Sequence, residues 1–332
     1  MADRESADFA RVGPLMGTSF RATTTEHFVL LHEPQAAYVA GASETLEYAY
    51  RHFYEVFSRT GFDLSRSQGR LVWICFPQKS GFSEYALQAE GMDLSWLDGY
   101  YSTLTNRVAI VQTDPKVPEG KEGVGPVAGG VRVVVATDQS PREGVLPMSV
   151  AGEQFDVTRL THEVAHQLSF NSGIQKRGVM YPLWVSEGLA TNFEFDGTGT
   201  AGLEHPNPAR CKGLVGAYAT GGLIPLREFV VQTAVPPDVQ VGRRCYAQAW
   251  GFFQFIVTER AESLRTYLCR LAQEHLERRD SSGLLVEFTE AFGPPETLEA
   301  SWNAFLARQA RQISGHYSVA SAGSDASAFQ IP

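Results

Sequence analysis

Apolar positions along this chain change period as it proceeds. His27-Phe28-Val29-Leu30-Leu31 is a short apolar run that predicts a strand. From Gln35 to Arg59 the period lengthens, and Tyr38, Ala42, Leu46, Tyr50, Phe53 and Phe57 recur at helical spacing. That aromatic stripe reads as the core-facing side of one long helix, not as a cofactor site. Leu71 to Phe76 is strongly β-rich, and a short helix is expected around Phe82 to Gln88. Gly99 to Gln112 alternates enough for a hairpin or a pair of edge strands. Pro115 to Gly130 is rich in Pro and Gly and predicts a long loop, followed by a strand over Val131 to Val135.

Helical spacing then returns. Leu160, Val164 and Leu168 form an apolar stripe, with Asp156 placed to cap the helix and Asn171-Ser172-Gly173 to stop it. Tyr181-Pro182-Leu183 ends a loop, because proline is disfavoured inside a helix and restricts the residue before it. A second helix follows, and its small Gly188 and Ala190 are expected to let it approach the first closely. Glu194 to Asn207 reads as loop again. From Tyr246 the pattern is helical to about Arg311, interrupted at Phe292-Gly293-Pro294-Pro295. Ser314 to Pro332 is rich in Ser, Ala and Gly and predicts a frayed tail. No internal repeat is visible. The result is an α+β chain: an N-terminal extension over 1–26, a mixed-sheet part over 27–172, a helical part over 173–313 and a flexible tail over 314–332.

Composition narrows the function classes. At 332 residues, with 43% hydrophobic and 20% charged, the chain can bury a sizeable core. A net charge of −9 argues against a general nucleic-acid binder, which needs a basic surface. No apolar run reaches the ~18 residues of a transmembrane helix. Met1 to Asp8 lacks a positive n-region and an apolar core, so no signal peptide is expected there, and export would require an upstream signal already removed. None of the four cysteines forms a C-x-x-C pair. Cys75 lies in the apolar run and is expected to be a buried strand residue, whereas Cys211 and Cys245 leave open either free thiols, the favoured reading, or a bridge. The oligomeric state is not readable.

The chemistry sits in His162-Glu163-Val164-Ala165-His166. Positions four apart lie on one face of a helix, so His162 and His166 can address one zinc ion. Glu163 follows the first ligand and can reach the open side of the metal without binding it. There it can accept a proton from water whose pKa the ion lowers. Two His with one Glu is an established catalytic set. Glu187, 21 positions after His166, is the candidate third ligand. Alone, a glutamate there would read first as a solvated charge near a helix N-terminus; after His-Glu-x-x-His it reads as a ligand. His205, by contrast, reads as a solvated loop residue.

Together with Pro182-Leu183-Trp184-Val185-Ser186-Glu187-Gly188-Leu189-Ala190, this motif resembles the gluzincin superfamily, the thermolysin-like zinc peptidases. More narrowly it is similar to a bacterial peptidase-MA-like group. Pattern-level similarity extends to Gly99-Tyr100-Tyr101-Ser102, Asn106-Arg107-Val108-Ala109-Ile110 and Tyr246-Ala247-Gln248-Ala249-Trp250, covering about 27–310. The resemblance implies a zincin-like α+β fold: an N-terminal mixed sheet leading into the metal helix, then a helical C-terminal part. It implies Zn2+ held by His162, His166 and Glu187, Glu163 as general base, and a peptide or protein substrate. It also implies substrate pairing with an edge strand, for which the segment around Tyr100 to Val111 is the candidate. Tyr246 is the candidate second electrophile, although its stripe with Trp250, Phe253 and Val257 would equally suit a core aromatic. One departure stands out. The family often places an Asp four residues after the third ligand to orient the first His, and this chain has Thr191. Three functions follow: a metallopeptidase, favoured because base and ligands are all present; a zinc hydrolase acting on other bonds; and a zinc-binding scaffold without turnover.

Overall fold

The computed structural model describes residues 19–34, 36–112, 133–134, 149–150, 153–154, 157–195, 207–236, 238–273 and 280–324. Its architecture is α+β, a mixed sheet followed by a mostly helical half. The strands are β1 (Arg21–Thr24), β2 (Phe28–His32), β3 (Leu71–Phe76), β4 (Gly99–Ser102), β5 (Arg107–Val111) and β6 (Val133–Val134), in the sheet order β1-β2-β3-β5-β4-β6. Strands β2, β3 and β5 run parallel, and β1, β4 and β6 are antiparallel to their neighbours. A separate two-stranded ribbon joins β7 (Ser149–Val150) and β8 (Glu153–Gln154).

Period-two alternation divides the sheet's side chains between two cores. Phe28, Leu30, Trp73, Cys75, Val108 and Ile110 face one core, which they share with α1 (Ala36–Arg59) and the metal-motif helix α3 (Val157–Asn171). Val29, Leu31, Ile74, Phe76, Ala109 and Val111 face the other, covered by α2 (Lys79–Glu90). The parallel strands are buried on both faces, which is why they read as continuous apolar runs instead of alternating ones.

Several sequence expectations shift at their boundaries. Strand β1 falls inside the expected N-terminal extension over 1–26; it pairs with β2 through Arg21↔His32 to Thr24↔Val29. As an edge strand with mostly exposed side chains it carries no hydrophobic signal. The hairpin over 99–112 is present, but β5 is an interior strand, and β6 covers the outer edge of β4 at Tyr101 and Ser102. The segment from Tyr100 to Val111 is therefore not the open edge strand that the resemblance implied. The final helix runs Pro295–Ser324, well into the stretch expected to fray from 314, because its Ala and Ser residues continue a helix already nucleated upstream. The expected cap Asp156, the loop over 115–130 and His205 lie outside the described residues.

The helical half comprises α4 (Leu183–Asn192), α5 (Pro208–Ala219), α6 (Leu226–Phe229), α7 (Val239–Glu259), α8 (Ala261–Gln273), α9 (Ser281–Phe292) and α10 (Pro295–Ser324). The break between α9 and α10 falls at Gly293-Pro294, with Pro295 in the first helical position where its missing N–H costs nothing. All four cysteines are free thiols, and Cys75 is buried in β3 as expected. Among the described residues no helix is long and apolar enough to cross a membrane.

Candidate metal centre

Helix α3 crosses the sheet and is tied to it by amides. Trp73 Nε1 donates to Gln167 Oε1 at 2.8 Å, and Gln167 Nε2 donates to the Asn106 carbonyl at 3.1 Å. Asn106 and Asn171 exchange amide hydrogen bonds at 2.8 and 3.0 Å, and Tyr101 Oη donates to Asn106 at 2.9 Å. Asn106 has φ 57°, a left-handed turn conformation that Asn tolerates better than most residues. These bonds fix the rotation of α3 and thereby the face that carries its histidines.

Helix α4 is buried along its whole length, so its polar side chains need internal partners. Gln175 accepts from Ser169 Oγ at 2.6 Å and donates to Ser186 Oγ at 3.0 Å, which links the two helices beside Glu187. Asn192 donates to the Trp250 carbonyl at 2.9 Å. Thr191 donates to the Glu187 carbonyl at 2.6 Å, a bond along its own helix. The close approach that small residues provide is made to α7, not to α3 as expected. Gly188 follows Glu187 by one position, about 100° round the helix, and so faces α7 when Glu187 faces α3.

The three expected ligands converge. Nε2 of His162 and Nε2 of His166 are 3.1 Å apart, and Glu187 Oε2 and Oε1 lie 3.4 and 3.7 Å from them respectively. All three side chains are buried, and their ligand atoms lie within 4.8 Å of one another. Two nitrogens each ~2.05 Å from one ion at a tetrahedral angle would be about 3.3 Å apart, so the imidazoles are already spaced for a common ion. The donor set, two imidazoles and one carboxylate, fits zinc.

Electrostatics mark the same place. Burial opposes ionisation of Glu187, but the two imidazoles beside it prevail and hold its carboxyl at about 2. Burial also works against a charged His162, yet Glu187 and Glu194 raise it to about 10. His166 is lowered, first by burial. Burial pushes Glu163 up to about 8, while His162 and, more weakly, the Tyr101 backbone N–H pull the other way. Neither Glu163 oxygen makes a well-formed hydrogen bond among the described residues, although the residue is fully buried. A carboxyl left in that condition costs stability.

One site residue escaped sequence reasoning. Glu194, seven positions after Glu187, places Oε1 2.9 Å from His162 Nδ1. The chain around it is pinned to α3: Thr158 Oγ1 donates to the Phe195 carbonyl at 2.8 Å, and Phe195 N–H donates to Thr161 Oγ1 at 3.0 Å. Arg210, on α5, grips the same carboxylate with Nε at 2.9 Å and Nη2 at 2.7 Å. The local signal was a charged residue between two aromatics, Phe193-Glu194-Phe195, an order that does not by itself set the carboxylate inside. Tyr246 lies on α7, buried, with the Arg210 guanidinium 5.7 Å from its ring centroid.

Residues 156–276 match a family model described as a protein of unknown function (DUF1570). That stretch holds the two helices carrying the expected ligands, Glu194, Arg210 and Tyr246, and leaves out the sheet. No curated protein matches the chain.

Proposed function

We propose that this chain is a zinc-dependent hydrolase of gluzincin type that cleaves peptide bonds. The observation that carries the proposal is Glu163, a fully buried carboxyl whose oxygens make no well-formed hydrogen bond among the described residues, one residue from His162 and beside three convergent ligand atoms. His162, His166 and Glu187 would hold the ion. When bound, zinc lowers the pKa of a water and polarises the substrate carbonyl.

Glu163 accepts the proton of the attacking water and returns it to the departing amine. The wall around it excludes bulk water, which strengthens its pull on that proton. Tyr246 is the proposed donor to the oxygen that gains charge during attack. A scaffold without turnover has no use for a buried Glu163 whose carboxyl lacks a well-formed hydrogen bond among the described residues.

The test is hydrolysis of a diverse peptide mixture by zinc-loaded protein, with and without a chelator, alongside Glu163→Gln. Chelator-sensitive cleavage that the variant lacks, at unchanged zinc content, is expected. An amide cannot take the water's proton. Absence of peptide cleavage by the zinc-loaded wild type would overturn the proposal, and hydrolysis confined to ester substrates would move it to a different bond.

A further inference from the structure

We infer that Glu194 and Arg210 form a positioning pair that fixes the His162 ring and thereby sets how tightly the centre holds its metal. This deepens the zinc proposal above and rests on it. The pair replaces the orienting Asp expected where Thr191 stands, and Thr191 spends its hydroxyl on the Glu187 carbonyl.

The acceptors of Glu194 are fully occupied. Oε1 takes His162 Nδ1 at 2.9 Å and Arg210 Nη2 at 2.7 Å; Oε2 takes Arg210 Nε at 2.9 Å and Asn207 Nδ2 at 3.3 Å. An ionised carboxylate has about four lone-pair sites, so three of them serve to hold Glu194 and the fourth is spent on His162. Donation from Nδ1 leaves Nε2 with its lone pair, facing Glu187 and His166. The brace is selective, because Nδ1 of His166 has no hydrogen-bond partner among the described residues.

The bracing elements arrive from separate parts of the chain. Glu194 follows α4, pinned to α3 through Phe195. Asn207 caps α5, accepting from the Ala209 and Arg210 N–H groups at 3.0 and 3.2 Å, and in the same position donates to Glu194. The cap therefore sets where Arg210 leaves the helix. The two-nitrogen grip needs a guanidinium, since lysine has no planar fork. Both charges are buried, Glu194 3% and Arg210 6% exposed. A buried ion pair is on average no more stabilising than apolar packing of the same volume, so stability alone does not account for one aimed at a metal-ligand ring.

The experiment measures zinc affinity of the full chain by competition with a chromophoric chelator, in wild type, Glu194→Gln and the double variant Glu194→Gln/Arg210→Met. Cobalt(II) absorption spectra and melting temperatures of the metal-free proteins are recorded in parallel. Orienting partners of metal-bound His are typically worth 10–100-fold in affinity, and Glu194→Gln should weaken zinc binding by about that factor and shift the cobalt bands. Arg210 left without its carboxylate will lower the melting temperature of the single variant. The double variant removes the guanidinium together with the carboxylate it grips, so its melting temperature should recover while zinc affinity stays low. Affinity that recovers together with melting temperature, or a Glu194→Gln protein that binds zinc as wild type does, overturns the positioning role and leaves the zinc proposal standing. A wild type that takes up no zinc overturns both.

Discussion

A Cβ built on Gly188 would stand 2.6 Å from the Ala249 carbonyl oxygen and 2.7 Å from Phe253 Cβ. Both neighbours belong to α7, one of them to its backbone, so no flexible side chain can move aside. Alanine in a helix is worth about 1 kcal/mol over glycine, but overpacking of this kind costs about 1–3 kcal/mol or more. Gly188→Ala should therefore destabilise the protein, and by displacing α4 it should also weaken zinc binding at Glu187. Gly216 is the control: it lies in α5, exposed, with nothing within 4 Å of its Cβ position. Gly216→Ala should raise the melting temperature through propensity alone. Denaturant melts of the two variants test this directly, and equal effects of the same sign would contradict the helix contact.

The ligand set makes a separate prediction. If the proposed zinc is held jointly by three ligands, His166→Ala and Glu187→Ala should each lose most bound zinc, measured by metal analysis after dialysis. The metal-free forms should differ in stability. Removing Glu187 leaves His162 without one of the two carboxylates that hold its charge, 3.4 Å away. Full zinc occupancy in Glu187→Ala would take that residue out of the set.

Much of this was legible because the signals were local. The spacing of His162 and His166 needs only one helix, and the apolar runs of β2, β3 and β5 needed only burial on both faces. Glu194 was not legible in the same way: its role depends on a guanidinium 16 positions later and on two threonines some 34 positions earlier. The partner of Gly188 was misassigned for the same reason. Smallness predicts a close neighbour without saying which, and that neighbour proved to be α7. The place of β4 in the sheet was set by β6, two residues far along the chain with no pattern of their own.

Glu47, on α1, supplies a pH test. It accepts from Thr25 Oγ1 at 2.6 Å and His27 N–H at 2.8 Å, and pairs with His27 Nδ1 at 2.7 Å. Burial raises its pKa, but the bonds from His27 and Thr25 outweigh that and leave it below the ordinary value of 4.5. The unfolded chain then binds this proton more readily than the folded one. The stabilisation is complete above about pH 4.5 and is lost as pH falls through the folded pKa. The melting-temperature gap between wild type and Glu47→Gln should be widest near neutral pH and narrow below that value. A gap that stays constant on acidification would show that the charge of Glu47 contributes nothing.

Tyr246 gives the most specific kinetic prediction. Its ring is buried on α7 and packs beneath Arg210, whose guanidinium is 5.7 Å from the ring centroid, so the ring supports the Glu194 brace whatever its hydroxyl does. Tyr246→Phe keeps that ring and removes only the phenol. If the phenol donates to the oxygen that becomes negative during attack, its loss should cost about 2.7–4 kcal/mol, roughly 10²–10³ in rate. The loss should fall in kcat more than KM, because the charge exists only near the transition state. Zinc content and melting temperature should be nearly unchanged, since packing and cation–π contact survive with phenylalanine. Steady-state kinetics on a peptide cleaved by the wild type decide the matter. A Tyr246→Phe enzyme with wild-type kcat would confine Tyr246 to holding Arg210 in place and assign the second electrophile to another side chain.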